Sequence, residues 1–75
     1  MSWNNVENNC KAIYEYQFIK AKIPTERKML IHIIATEFPE IPRIRIAYAV
    51  DRCISEIPEP MTPSTFLTFV QNYLD

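Results

Sequence analysis

No glycine occurs in these 75 residues, while proline occurs six times. At ordinary usage of about 7%, roughly five glycines would be expected. A chain without glycine has no low-cost residue for left-handed backbone. Tight hairpin turns, phosphate-cradling loops and the dinucleotide fingerprint all rest on that residue. The prolines, by contrast, stand where apolar helical periodicity starts or stops. The expectation is an all-α fold, a single helical domain over 1–75, built as a small four-helix bundle with proline-punctuated loops. Packing of the helices in orthogonal pairs is a variant of the same expectation.

Helix 1 is predicted from Asn4 to Lys22, with Asn4 and Glu7 as a capping box or Ser2 as the cap. Its apolar face would carry Trp3, Val6, Cys10, Ile13, Tyr14 and Ala21, with Gln17 among them. Tyr16, Phe18, Ile19 and Ile23 widen that face, so helix 1 is expected at the centre of the core. Helix 2 should start at Pro24 or Thr25, with Thr25 able to cap, and end near Phe38, because Pro39 pushes its predecessor out of helical geometry. Leu30, Ile31, Ile33, Ile34 and Phe38 would be its buried face. Helix 3 is predicted from Pro42 to about Ile57, burying Ile46, Ala49, Val50, Cys53, Ile54 and Ile57. The stretch from Ile41 to Tyr48 also alternates like an edge strand, but the 3.6-residue period carried on to Ile57 decides for helix. Thr62 should cap helix 4, with Pro63 at its first position and Met61 stapled onto Phe66. Phe66, Phe69, Val70 and Tyr73 then form a buried stripe that Leu67 and Leu74 extend. Ile-Pro recurs at residues 23, 41 and 57, and we read it as helix punctuation because the flanking residues do not match.

The sequence disfavours several kinds of chemistry. One histidine and two cysteines, none at i, i+3 or i+4 to another, fall short of a four-ligand structural metal set. His32 reads as a solvated side chain. Glu37 with Glu40, and Glu56 with Glu59, bracket prolines and read as solubilising charges rather than an acid–base pair. Ser64 follows Pro63 and reads as helix-start chemistry. We therefore expect no enzyme, no cofactor, no metal and no small-molecule ligand. Cys10 and Cys53 fall on apolar faces and read as buried free thiols, a bridge between them being the alternative. The polar start holds no secretory apolar core, and the longest apolar run, Met29 to Ala35, is too short for a bilayer. The expectation is a cytoplasmic protein with no membrane partner.

The outer side of helix 3 stands out. Ile44 and Tyr48, one turn apart, face away from the inward set, and Arg45 and Arg52 flank them. An aliphatic, an aromatic and arginines are the composition of a protein-contact hot spot. The leading function is a non-enzymatic protein-interaction module or small accessory subunit, with self-association as one form of it. The alternative is a helix-turn-helix made of helices 2 and 3, presenting Arg43, Arg45, Tyr48 and Arg52 to DNA. The formal net charge of −1 and the acids on helix 3 weigh against that alternative. Cover of Ile44 and Tyr48 by helix 4 or the N-terminus would remove the contact surface altogether.

Overall fold

The structure is a computed structural model describing residues 3–14 and 18–75. Four helices follow one another: α1 (Trp3–Tyr14), α2 (Pro24–Glu37), α3 (Arg43–Glu56) and α4 (Pro63–Leu74). The all-α, four-helix expectation holds. No strand occurs among the described residues, and the segment from Ile41 to Tyr48 enters α3 rather than a sheet edge. The accessible surface is 4784 Å². Area scaling for a folded chain of this mass gives about 4,800 Å².

Each helix packs on two others, α1 on α2 and α4, and α3 on α2 and α4, while the diagonal pairs do not meet. The start of α1 meets the end of α2, where the Trp3 and Phe38 rings lie 4.7 Å apart and Asn5 Nδ2 donates to Glu37 Oε1 at 2.8 Å. The start of α2 meets the second half of α3 through Arg27, whose Nε and Nη2 donate to the two carboxylate oxygens of Asp51 at 2.8 and 2.9 Å. The hydrogen-bonded pair holds the Asp51 carboxyl below its ordinary range. At the other end of the same helix pair, Arg43 Nη2 lies 3.1 Å from His32 Nδ1. Tied at these two points, α2 and α3 run alongside each other in opposite directions.

Proline sets the helix starts, in two different ways. Pro24 and Pro63 open α2 and α4, where a missing N–H leaves nothing unpaired. Pro42 stands just outside α3 as its cap residue. Thr62 caps α4 as expected, its Oγ1 accepting from the Thr65 backbone N–H at 3.2 Å. Thr25 lies inside α2 and does not cap it; the cap position is Ile23, which offers no side-chain acceptor. Asn4 likewise lies inside α1, and Glu7 pairs with Lys11 at 3.0 Å instead of reaching back. Ser2 is outside the described residues.

The largest departure from the sequence reading concerns α1. Among the described residues it spans Trp3–Tyr14, and residues 18–22 are not helical, so it does not run on to Lys22; its buried residues there are Val6, Cys10 and Tyr14. Ile13, expected on the inner face, is 48% exposed. Beyond the helix, Ile19 is extended and pairs antiparallel with Met61, its backbone N–H donating to the Met61 carbonyl at 2.8 Å. Both side chains are buried, as is Ala21, while Phe18 and Ile23 point outward. Residues 18–23 therefore bury apolar side chains as a strap over the α3–α4 connector, an arrangement that a continued helix would forbid. Gln17 and Tyr16, assigned to the helical face, lie outside the described residues.

The core gathers Val6, Cys10, Ile19, Leu30, Ile34, Ile46, Val50, Cys53, Met61, Phe66 and Val70. Ile33, Phe38, Ile54, Ile57, Phe69 and Leu74 are only partly buried, so each inner face is narrower than its apolar stripe. Met61, immediately before the Thr62 cap, is buried together with Phe66, the geometry of a hydrophobic staple. Replacing Thr62 with alanine removes the one side-chain cap of α4. The expected cost is about 1 kcal/mol, or a fall of about 4–8 °C in melting temperature, with Thr62→Ser close to wild type by thermal melt.

Candidate protein-contact surface

α3 positions its outer residues by burying the other side. Ile46, Ala49, Val50 and Cys53 are fully enclosed. A helical period of 3.6 then turns Ile44 and Tyr48 away from the core. Among the described residues neither α4 nor the start of α1 covers them: Ile44 is 72% exposed and Tyr48 63%.

Beside them runs the last part of α4. Ile44, Arg45, Tyr48 and Tyr73 line one open hollow of about 550 Å³. Tyr73 is 42% exposed, and its ring stacks on Phe69 with centroids 6.4 Å apart. The stripe read for α4 thus divides. Phe66 and Val70 go inward with Leu67, while Phe69 and Tyr73 lie on the flank toward α3. Tyr73 belongs to the surface and sequence reasoning missed it. Its spacing from Phe66 and Val70 fits a wide buried stripe equally well, and only the position of α3 decides which edge of that stripe faces solvent.

The arginines are distributed unevenly. Arg52 Nη2 pairs with Glu56 at 2.6 Å, one turn along the same helix. Arg43 turns toward α2. An arginine can only donate, so in that hydrogen bond His32 Nδ1 is the acceptor. Arg45 alone lines the hollow, and it forms no ion pair among the described residues. The structure therefore brings Ile44, Arg45 and Tyr48 together with Tyr73. It holds Arg52 alongside in a local pair and draws Arg43 off to one side.

Other apolar side chains are exposed at Ile13, Phe18 and Ile23, on either side of residues 15–17, which the structure does not describe. Among the described residues no group of three or more His, Cys, Asp or Glu is placed to hold a metal ion. No helix is long and apolar enough to cross a membrane among those residues either.

The two thiols are both buried and free. Cys10 sits on α1 and Cys53 on α3, the diagonal pair, and no Cα of one helix comes within 8 Å of the other. A disulfide needs Cα atoms within about 7 Å, so this backbone cannot form one. Cys53 Sγ instead donates to Met61 Sδ at 3.4 Å. Burial pushes both thiols up to about 11, with the Glu56 carboxylate adding to the effect at Cys53. Tyr14 is raised as well, by burial first and by the nearby Glu26 carboxylate second. None of the three is primed as a nucleophile at neutral pH.

Because the fold favours the neutral thiols, their contribution to stability is complete below the ordinary thiol value of 9.0 and is lost as pH rises toward about 11. Denaturation midpoints should hold level from pH 7 to about 8.5 and then fall. A thiol reagent should modify native protein slowly and unfolded protein quickly, at both cysteines, and intact mass should show no bridge. No protein-family model matches the chain, and no curated protein or solved structure is significantly similar to it.

Proposed function

We propose that this chain is a non-enzymatic protein-interaction module or small accessory subunit, and that its contact surface is the outer side of α3 with the adjoining edge of α4. One observation carries the reading: Ile44, Tyr48 and Tyr73, all exposed, converge on a single hollow. Scattered exposed apolar residues are ordinary, but large ones gathered around one depression mark a surface that a partner desolvates. Tyrosine and arginine are among the side chains that contribute most to binding energy across protein interfaces, and Arg45 has no ion-pair partner among the described residues.

The helix itself does not account for them. Ile44 and Tyr48 contribute little to the core, and Arg43 and Arg45 stand in the first turn of α3, where the macrodipole favours acids. The DNA alternative finds less support. Phosphate contacts need several free cations on one face. Here Arg43 turns to His32 and Arg52 is paired with Glu56, which leaves Arg45.

Tyr48→Ala separates a contact surface from a structural one. On an exposed side chain the substitution should move the melting temperature by no more than about 4 °C. With tagged full-length chain as bait, proteins retained by wild type, untagged copies of the chain included, should be lost with Tyr48→Ala and weakened with Tyr73→Ala. Retention unchanged in both variants, or a melting temperature lowered by more than about 10 °C, refutes the reading.

A further inference from the structure

We propose that the hollow between α3 and α4 takes a second copy of this chain across a twofold axis, each Arg45 meeting the Asp75 carboxylate of the other copy. The inference rests on the contact-surface reading above and names the partner.

The surface carries its own complement. Arg45 stands in the first turn of α3, and Asp75 caps the end of α4, two residues beyond Tyr73. Because Ile44, Arg45 and Tyr73 line one hollow, the start of α3 lies beside the end of α4, and the two charges stand at the same end of the helix pair. Neither forms an ion pair among the described residues. The other acids of α3 are engaged, Asp51 by both donors of Arg27 and Glu56 by Arg52. From Pro63 to Leu74 α4 carries no charged side chain, so Asp75 is the acid that this wall offers.

Each charge also opposes the helix that bears it. The macrodipole favours acids at a helix start and bases at a helix end. Arg45 and Asp75 are the reverse. In a twofold interface, residue i of one copy meets residue j of the other, and j meets i. An axis passing between the start of α3 and the end of α4 lays Arg45 over the second copy's Asp75 and Asp75 over its Arg45. One contact then supplies two ion pairs, and each helix end receives the sign its macrodipole favours. The guanidinium fork can hold the carboxylate with two parallel hydrogen bonds. Ile44, Tyr48 and Tyr73 meet their own equivalents, which apolar faces do without regard to sign. A net charge of −1 leaves little overall repulsion between copies. The Phe69 ring, stacked on Tyr73, lines a second open hollow of about 400 Å³ with Ile57, Thr68 and Asn72, so the surface extends further along α4 with no added charge. A contact built on these few side chains belongs with the small, transient interfaces, below about 1,200 Å² in total, and its affinity should be micromolar.

Sedimentation equilibrium of the full chain from about 10 μM to about 1 mM tests this. Wild type should pass from monomer to dimer within that range. Arg45→Glu and Asp75→Lys, each alone, should dimerise about tenfold or more weakly, because each sets like charges face to face twice. Both substitutions suit the macrodipole of their own helix, so each variant, dilute, should melt no lower than wild type. Mixed in equal amounts, the two variants again set opposite signs at both pairs and should form a heterodimer close to wild-type affinity. A mixture that associates no better than either variant alone overturns the inference. A dimer that Tyr48→Ala disperses but neither charge variant weakens also overturns it and leaves the contact surface standing. A dimer indifferent to all three substitutions places self-association elsewhere and overturns it as well. A wild type that stays monomeric rejects the second copy. Foreign proteins retained by the bait and lost with Tyr48→Ala then assign the surface to a different protein, and duplex DNA held at low salt through Arg45 assigns it to nucleic acid. A monomeric wild type whose bait retention Tyr48→Ala leaves unchanged overturns both readings.

Discussion

Burial of Ile46, Ala49, Val50 and Cys53 between α2 and α4 determines the orientation of α3, and the rest of the molecule is arranged around that helix. Enclosing four residues completely on one side leaves the opposite side of a 3.6-residue helix with no core to join. Two ties hold the orientation. Arg27 and Asp51 join the second half of α3 to α2, and Arg43 and His32 join its first residue. Each is an exposed interaction worth on the order of 1 kcal/mol or less. They set direction, while the apolar burial supplies the stability.

A second junction closes the fold at its far end. Met61 receives the Ile19 N–H on its carbonyl and the Cys53 thiol on its sulfur, and its side chain lies in the core. One residue in a proline-rich connector thus joins the strap after α1, the last turns of α3 and the entry to α4. Thr62 caps the next helix and Pro63 opens it, so α4 leaves this junction in a fixed direction. That direction brings Tyr73 alongside Tyr48.

Much of this could be read from residue types. Proline at 24 and 63, and Pro39 and Pro58 beyond the ends, located α2, α3 and α4 to within a residue or two, because proline restrains backbone locally. The inward set of α3 and the outward placement of Ile44 and Tyr48 followed from periodicity alone. The end of α1 did not. Apolar spacing continues through Ile19 to Ala21, and those side chains are indeed buried, but by a strap whose backbone bonds Met61, 42 positions along the chain. A pairing that distant leaves no local signature. The cysteines show the same limit: both apolar assignments were right, whereas their placement on diagonal helices belongs to the topology. Tyr73 and the isolation of Arg45 in the hollow likewise depend on which helices become neighbours.

Ile44 and Ile46 provide the most direct comparison, since they are the same residue type two positions apart, one 72% exposed and the other fully buried. Methyl-labelled isoleucine spectra of dilute protein, recorded with and without a soluble paramagnetic agent, report how closely solvent approaches each. Strong relaxation enhancement at the Ile44 methyl with little at Ile46 is the predicted result. Equal protection of the two would contradict the account, because α3 would then have no outer side for a partner to use.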